Sequence, residues 1–195
     1  MWGVRLSAPF PKGPAISSEN QIKQRFRSHE PVTVAVGKVH MDESAIARAL
    51  AASPCDLLFV DTQHAVVDEA DLAAFCRNAA ACGAPAAVRI RHADEAYLVG
   101  RYLDMGALAV IVPQVEHPDT VRKAVAAFYY PPLGRRSWGP KQAYGFNDHA
   151  DQFEYADWWN RTGVLMIQLE SLRAVERVAE LVMPGLDVIT WGVNG

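Results

Sequence analysis

The feature that most constrains this chain is a repeated unit: a short apolar run that stops in polar or ionisable side chains and is followed by a helical stretch. Its clearest copy is Asp56-Leu-Leu-Phe-Val-Asp61-Thr-Gln-His64. Four to six apolar residues between turn signals read as a strand buried on both faces within a parallel sheet. The acid and imidazole then fall at the strand's C-terminal end. Parallel α/β folds place their chemistry there, because strand ends and the loops after them line a crevice on a rigid support.

The unit recurs along the chain. Strands are predicted at 32–36, 57–60, 86–90, 107–112, 164–169 and 186–191, with helices at 42–52, 68–82, 94–105, 118–128 and 171–182. A short helix is also expected at 21–29. Asp68, Asp94 and Ser171 stand where N-caps belong, and Gly83, Gly106 and Gly185 where a left-handed residue ends a helix. Alternating strands and helices joined by short turns imply βαβ units and a parallel sheet with right-handed crossovers.

Such units fit an open doubly wound sheet or a (β/α)8 barrel of the TIM type. No GxGxxG or GxxxxGK[ST] turn follows any strand, which removes the usual nucleotide-binding readings. Polar residues recur at the strand ends: Lys38 and His40, Asp61 and His64, Arg89 and Arg91, Gln114 and Glu116, Gln168 and Glu170, and Asn194. Convergence of side chains from many strands is how a barrel builds a site. A complete barrel takes about 250 residues, so 195 residues predict a barrel truncated after the sixth strand. Residues 1–30 are expected to form an N-terminal arm and short helix, and 31–195 a partial barrel domain with an unpaired strand at each edge. The stretch 131–162, rich in Pro, Gly and aromatics, is expected to loop over the barrel mouth.

A net charge of -3 gives no basic footprint for nucleic acid. Anionic substrates would need local arginines. Cys55, Cys76 and Cys82 form no CxxC pair, so a reducing, cytoplasmic setting is expected. Pro9, Pro11 and Pro14 interrupt the N-terminal apolar residues, and no run of about 18 apolar residues suggests a membrane span.

Several side chains can carry chemistry. Asp61 and His64 straddle a strand-to-loop junction, where an aspartate can fix an imidazole tautomer and leave the other nitrogen as a base. Alternatively, Asp61 caps the turn and His64 bonds a backbone carbonyl. Arg89 follows small and apolar residues that should be interior; it either meets a bound carboxylate or enolate, or pairs internally with Glu170 or Asp61. Gln168 and Glu170, two apart on one strand, point to the same side. A carboxylate there suits a hard cation such as Mg²⁺ or Mn²⁺, or else caps the helix starting at Ser171. Arg135 and Arg136 are expected on an exposed, turn-rich rim. His29, His92, His117 and His149 are expected at the surface or as caps.

These residues together resemble the HpcH/HpaI aldolases, the metal-dependent pyruvate aldolases of the phosphoenolpyruvate/pyruvate superfamily. The resemblance runs from about Gly37 onward. It is carried by Val60-Asp-Thr-Gln-His64, Val88-Arg89, Asp104-Met-Gly-Ala with Ile111-Val-Pro-Gln114, Tyr130-Pro-Pro-Leu-Gly-Arg-Arg136, and Ile167-Gln-Leu-Glu170. It implies a TIM barrel that cleaves 4-hydroxy-2-oxo acids to pyruvate and an aldehyde through a metal-stabilised enolate. By position, His64 with Asp61 would be the acid/base pair and Arg89 would stabilise the enolate. Gln168 would line the substrate site and Glu170 would bind a divalent metal, Mg²⁺ or Mn²⁺. The resemblance also implies a homo-oligomer.

Two departures stand out. Gln63 occupies a position where the family usually has Glu. The second metal ligand, normally Asp, falls on Gly195, with Asn194 beside it. Two other readings accompany the aldolase one: a degenerate barrel that binds a small acid or a homologous partner, and an acyl-CoA lyase of the citrate-lyase β type.

Overall fold

A computed structural model of the chain describes residues 21–139 and 141–192. The 1–20 arm, Asn194 and Gly195 lie outside the described residues. The strands are β1 (Val34–Val36), β2 (Leu57–Asp61), β3 (Ala86–Arg89), β4 (Ala109–Val112), β5 (Val164–Leu169) and β6 (Val188–Trp191). The α-helices are α1 (Gln21–Arg27), α2 (Glu43–Ala52), α3 (Glu69–Ala81), α4 (Val99–Asp104), α5 (Pro118–Phe128), α6 (Gln152–Thr162), α7 (Leu172–Glu176) and α8 (Val178–Leu181).

All strands are parallel and lie in the order β1-β2-β3-β4-β5-β6. A doubly wound sheet reverses direction at a switch point. This one never reverses, so every crossover advances the same way, as in a TIM-type barrel wall. The two strand faces differ accordingly. Leu58, Val60, Val88, Val110, Val112, Ile167 and Leu169 are buried, whereas Phe59, Asp61, Arg89, Ile111 and Gln168 on the alternate face are only partly covered. The second set forms the barrel's inner face, where the candidate side chains stand. Among the described residues, β1 and β6 each pair on one side only, and Val36 and Trp191 on them are exposed.

The expected caps hold in most places. Asp68 accepts the Ala70 N–H and Ser171 accepts the Ala174 N–H, and Gly83, Gly106 and Gly185 all take positive φ. Asp94 is not a cap. The cap is His92, whose Nδ1 accepts the Asp94 N–H at 3.1 Å, and the helix opens with a 3-10 stretch, Ala93–Leu98, before α4. The helix expected at 171–182 breaks at Arg177 into α7 and α8.

The region 131–162 also departs from expectation. It does not cover the barrel mouth but packs at the opposite end, where the helices finish and the strands begin. The Arg136 N–H donates to the Tyr129 carbonyl just past α5, and the Arg136 guanidinium reaches Asp104 at the end of α4 at 3.0 Å. That guanidinium lies over the rings of Tyr130 and Trp159, at 4.9 Å and 4.8 Å. Stacking and ion pairing draw Arg136 inside, so it is buried rather than on an exposed rim. The segment also contains α6, capped by Asp151, which accepts the Phe153 and Glu154 N–H groups. His149 is packed inside too, its ring 4.8 Å from that of Trp158, instead of on the surface.

The same end is closed by α1. The buried Lys23 ammonium donates to the Gly163 carbonyl and the Tyr129 oxygen, both at 2.8 Å, and pairs with Asp187 at 3.0 Å. Tyr129 donates to Asp187 at 2.6 Å. Burial pulls the Lys23 pKa below its ordinary range, against the opposing pull of Asp187.

Candidate active site

The inner face presents its polar groups at the C-terminal ends of β2, β3 and β5. Asp61 and Arg89 are register partners on adjacent strands, so their side chains rise side by side. Arg89 Nε donates to Asp61 Oδ1 at 2.9 Å and Nη2 to Oδ2 at 2.6 Å, while Nη1 donates to Gln168 Oε1 at 3.2 Å. A guanidinium has five N–H groups; this arrangement leaves one on each terminal nitrogen for a ligand. Burial pushes the Asp61 carboxyl up, but the Arg89 contacts and the Gln63 and His64 backbone N–H groups outweigh it and hold the carboxyl below its usual range.

Of the two ways to read Arg89, internal pairing with Asp61 is present, and the residue still faces the open interior. The Asp61 carboxylate is spent on Arg89 and on the turn backbone rather than on the His64 imidazole. His64 itself is exposed on the turn after β2. Asp61 therefore fixes the turn that carries His64 and leaves the ring free to reach a substrate. Thr62 stitches the turn to β3, its hydroxyl donating to the Arg89 carbonyl at 2.6 Å.

Glu170 follows β5 directly. Its Oε1 is buried with no hydrogen-bond partner, a costly state for a carboxylate oxygen and one that a hard cation would satisfy. Gly192 leaves the room this side chain occupies, since a Cβ at 192 would lie 2.5 Å from Glu170 Cγ. Glu170 thus fits one ligand position of a divalent-cation site, while the neighbouring Gln168 amide oxygen is already taken by Arg89. Among the described residues no three His, Cys, Asp or Glu side chains form a metal cage; the remaining ligand position, Gly195, lies outside them.

Beside Glu170 opens a cleft of about 490 Å³ lined by His92, Ala93, Asp94, Gln114, Glu116, His117, Thr120, Glu170 and Ser171. Gln114 sits there with φ 50, a left-handed conformation uncommon for a residue without an Asn or Asp side chain. Sequence reasoning placed Gln114 and Glu116 at a strand end but left His92 and His117 as surface or capping residues. Their positions, three residues beyond β3 and five beyond β4, could have assigned them to the mouth.

The geometry agrees with what the chain is similar to. A hydroxypyruvate/pyruvate aldolase of Paraburkholderia phytofirmans is 29% identical over 180 residues, covering 89% of this chain and 67% of that protein. One from Sagittula stellata is 32% identical over 160 residues, covering 80% and 62%. Among solved structures, an HpcH/HpaI aldolase from Desulfitobacterium hafniense superposes with TM-score 0.75 at 27% identity, covering 88% of this chain and 65% of that one. The chain thus spans about two thirds of these relatives. Among the described residues no helix is long and apolar enough to cross a membrane. The HpcH/HpaI aldolase/citrate lyase family model matches residues 39–194, a span that holds β2 to β6 with Asp61, His64, Arg89, Gln168 and Glu170 at their ends, and by it the chain belongs to that family.

Proposed function

We propose that this chain carries the catalytic face of an aldolase that cleaves a 4-hydroxy-2-oxo acid to pyruvate and an aldehyde, or runs the reverse addition. The observation that carries this reading is Arg89, held by Asp61 and Gln168 with two N–H groups left over, together with a buried, unpartnered oxygen on Glu170, two residues beyond Gln168.

The residues divide the work as follows. His64 takes the proton from the C4 hydroxyl, the C3–C4 bond breaks, and its electron pair passes into the pyruvate enolate as the aldehyde leaves. The two free Arg89 N–H groups face the oxygen on which negative charge grows, a contact stronger in the transition state than in the ground state. A proton from solvent at C3 completes pyruvate, and His64 gives up to solvent the proton it took, which restores the free imidazole. Asp61 holds both the guanidinium and the His64 turn, so no side chain needs to reorganise during reaction. Gln168 would line the substrate site, and Glu170 would hold a divalent cation, Mg²⁺ or Mn²⁺, which would supply Lewis-acid stabilisation of charge on the keto oxygen. The same reading takes the protein as a cytoplasmic homo-oligomer acting on small molecules, without nucleic acid or membrane partners.

The test is deuterium exchange at the pyruvate methyl group in D₂O, followed by NMR with and without Mg²⁺ or Mn²⁺. Cation-dependent exchange that disappears in Glu170→Gln is expected. A folded sample that exchanges no methyl protons would overturn the reading in favour of a binding-only barrel.

A further inference from the structure

We infer that the cleft beside Glu170 seats the aldehyde half of the substrate and selects a neutral, hydroxyl-bearing aldehyde over one with an anionic tail. This rests on the aldolase reading. The cleft shares Glu170 with the proposed pyruvate site, so a molecule filling it lies next to the bond that would break. Its volume, about 490 Å³, is in the range that small-molecule sites occupy.

The lining decides the charge. Its formally charged side chains are the carboxylates of Asp94, Glu116 and Glu170, and it contains no lysine or arginine. Of the nearby guanidiniums, Arg91 pairs with Glu95 at 3.1 Å and Arg122 with Asp119, while Arg89, whose free N–H groups serve the proposed pyruvate site, does not line this cleft. With Glu170 taken by the proposed cation and that cation by the pyruvate half, a carboxylate, sulfonate or phosphate tail entering this cleft would meet the carboxylates of Asp94 and Glu116 and no lysine or arginine in the lining, which is selection by repulsion.

A hydroxylated chain meets the opposite situation. Carboxylates accept its O–H groups, and neutral donors are to hand. His92 Nδ1 accepts the Asp94 N–H, which in the neutral ring leaves Nε2 as the N–H donor. Among the described residues, the Gln114, Glu116, His117 and Thr120 side chains make no hydrogen bond, so they are available to a ligand. A site built to hydrogen-bond hydroxyls discriminates strongly against a ligand that cannot supply them.

Two readouts on the full chain test this. The first follows the His92 and His117 ring-proton NMR signals, assigned through His92→Gln and His117→Gln, during titration with glycolaldehyde or D-glyceraldehyde and with glyoxylate or succinic semialdehyde. The neutral pair should shift both signals, at concentrations at least about tenfold lower than the anionic pair. The second compares kcat/KM for addition of pyruvate to the same four aldehydes. A preference of about tenfold or more for the neutral pair is expected. Glu116→Gln should narrow it and Glu116→Lys reverse it, through KM for the aldehyde rather than kcat. Pyruvate exchange without aldehyde selectivity overturns the inference and leaves the aldolase reading standing. Selective shifts without pyruvate exchange overturn the aldolase reading and leave a cleft for neutral hydroxylated ligands. Equal shifts by both classes, or none, overturn the inference outright.

Discussion

Arg89 grips both oxygens of Asp61 from the next strand, at 2.9 Å and 2.6 Å, because the parallel register sets their Cα atoms opposite one another. A lysine at 89 has the charge but not the planar fork, and cannot hold Asp61 and Gln168 while facing a substrate. Arg89→Lys should lower the pyruvate-exchange rate by about 100-fold or more with the circular dichroism spectrum unchanged.

The same grip predicts a pH dependence. The folded Asp61 carboxyl titrates below its ordinary value, so its contribution is complete above the unfolded pKa and is lost as pH falls through the lower, folded one. At neutral pH Asp61→Asn should cost about 1–3 kcal/mol. Urea unfolding of both proteins should show that difference shrinking as pH drops below the usual carboxylate range.

His64 offers a cleaner separation of chemistry from folding. It is exposed and its ring makes no hydrogen bond among the described residues. His64→Ala should leave the urea midpoint within experimental error and reduce exchange by about 100-fold or more. Unchanged exchange would remove the imidazole from the mechanism.

At the closed end, Lys23 and Asp187 have side chains only 2% exposed. Lys23→Met leaves a buried carboxylate without its ammonium and should cost about 3–5 kcal/mol. Replacing Lys23 and Asp187 together by apolar residues should recover much of that loss; a double variant as unstable as the single one would mean that the pair, and not the stranded charge, matters.

The thiols should react unequally. Burial pushes Cys76 up to about 12, while Cys55 and Cys82 are raised less and only partly covered. At about pH 8, alkylation with iodoacetamide should modify Cys55 and Cys82 slowly and leave Cys76 untouched until the chain is unfolded. Because the raised Cys76 value is a property of the folded state, its contribution persists below the ordinary 9.0 and is lost as pH climbs toward about 12.

The βα framework was legible because each strand is apolar on both faces and ends abruptly; Leu57–Asp61 is apolar up to its final residue. Which of Asp61 and Glu170 would pair with Arg89 was not, since that depends on register. Arg89 pairs with Asp61, 28 positions away, and periodicity says nothing about such a match. The α6 helix left a readable mark that composition masked. Asp151 accepts the Glu154 N–H and Glu154 reaches back to the Ala150 N–H, a reciprocal cap in the midst of Pro, Gly and aromatic residues. The burial of Arg136 left none, because it needs the rings of Tyr130 and Trp159 from separate stretches of chain.

Glycine at 192 leaves no room for even one added carbon against Glu170. The reach of that carboxylate is therefore gauged by bare backbone just past β6. The cation affinity proposed for Glu170 would then be retuned by steric displacement alone, from a position that contributes no donor atom and carries no charge.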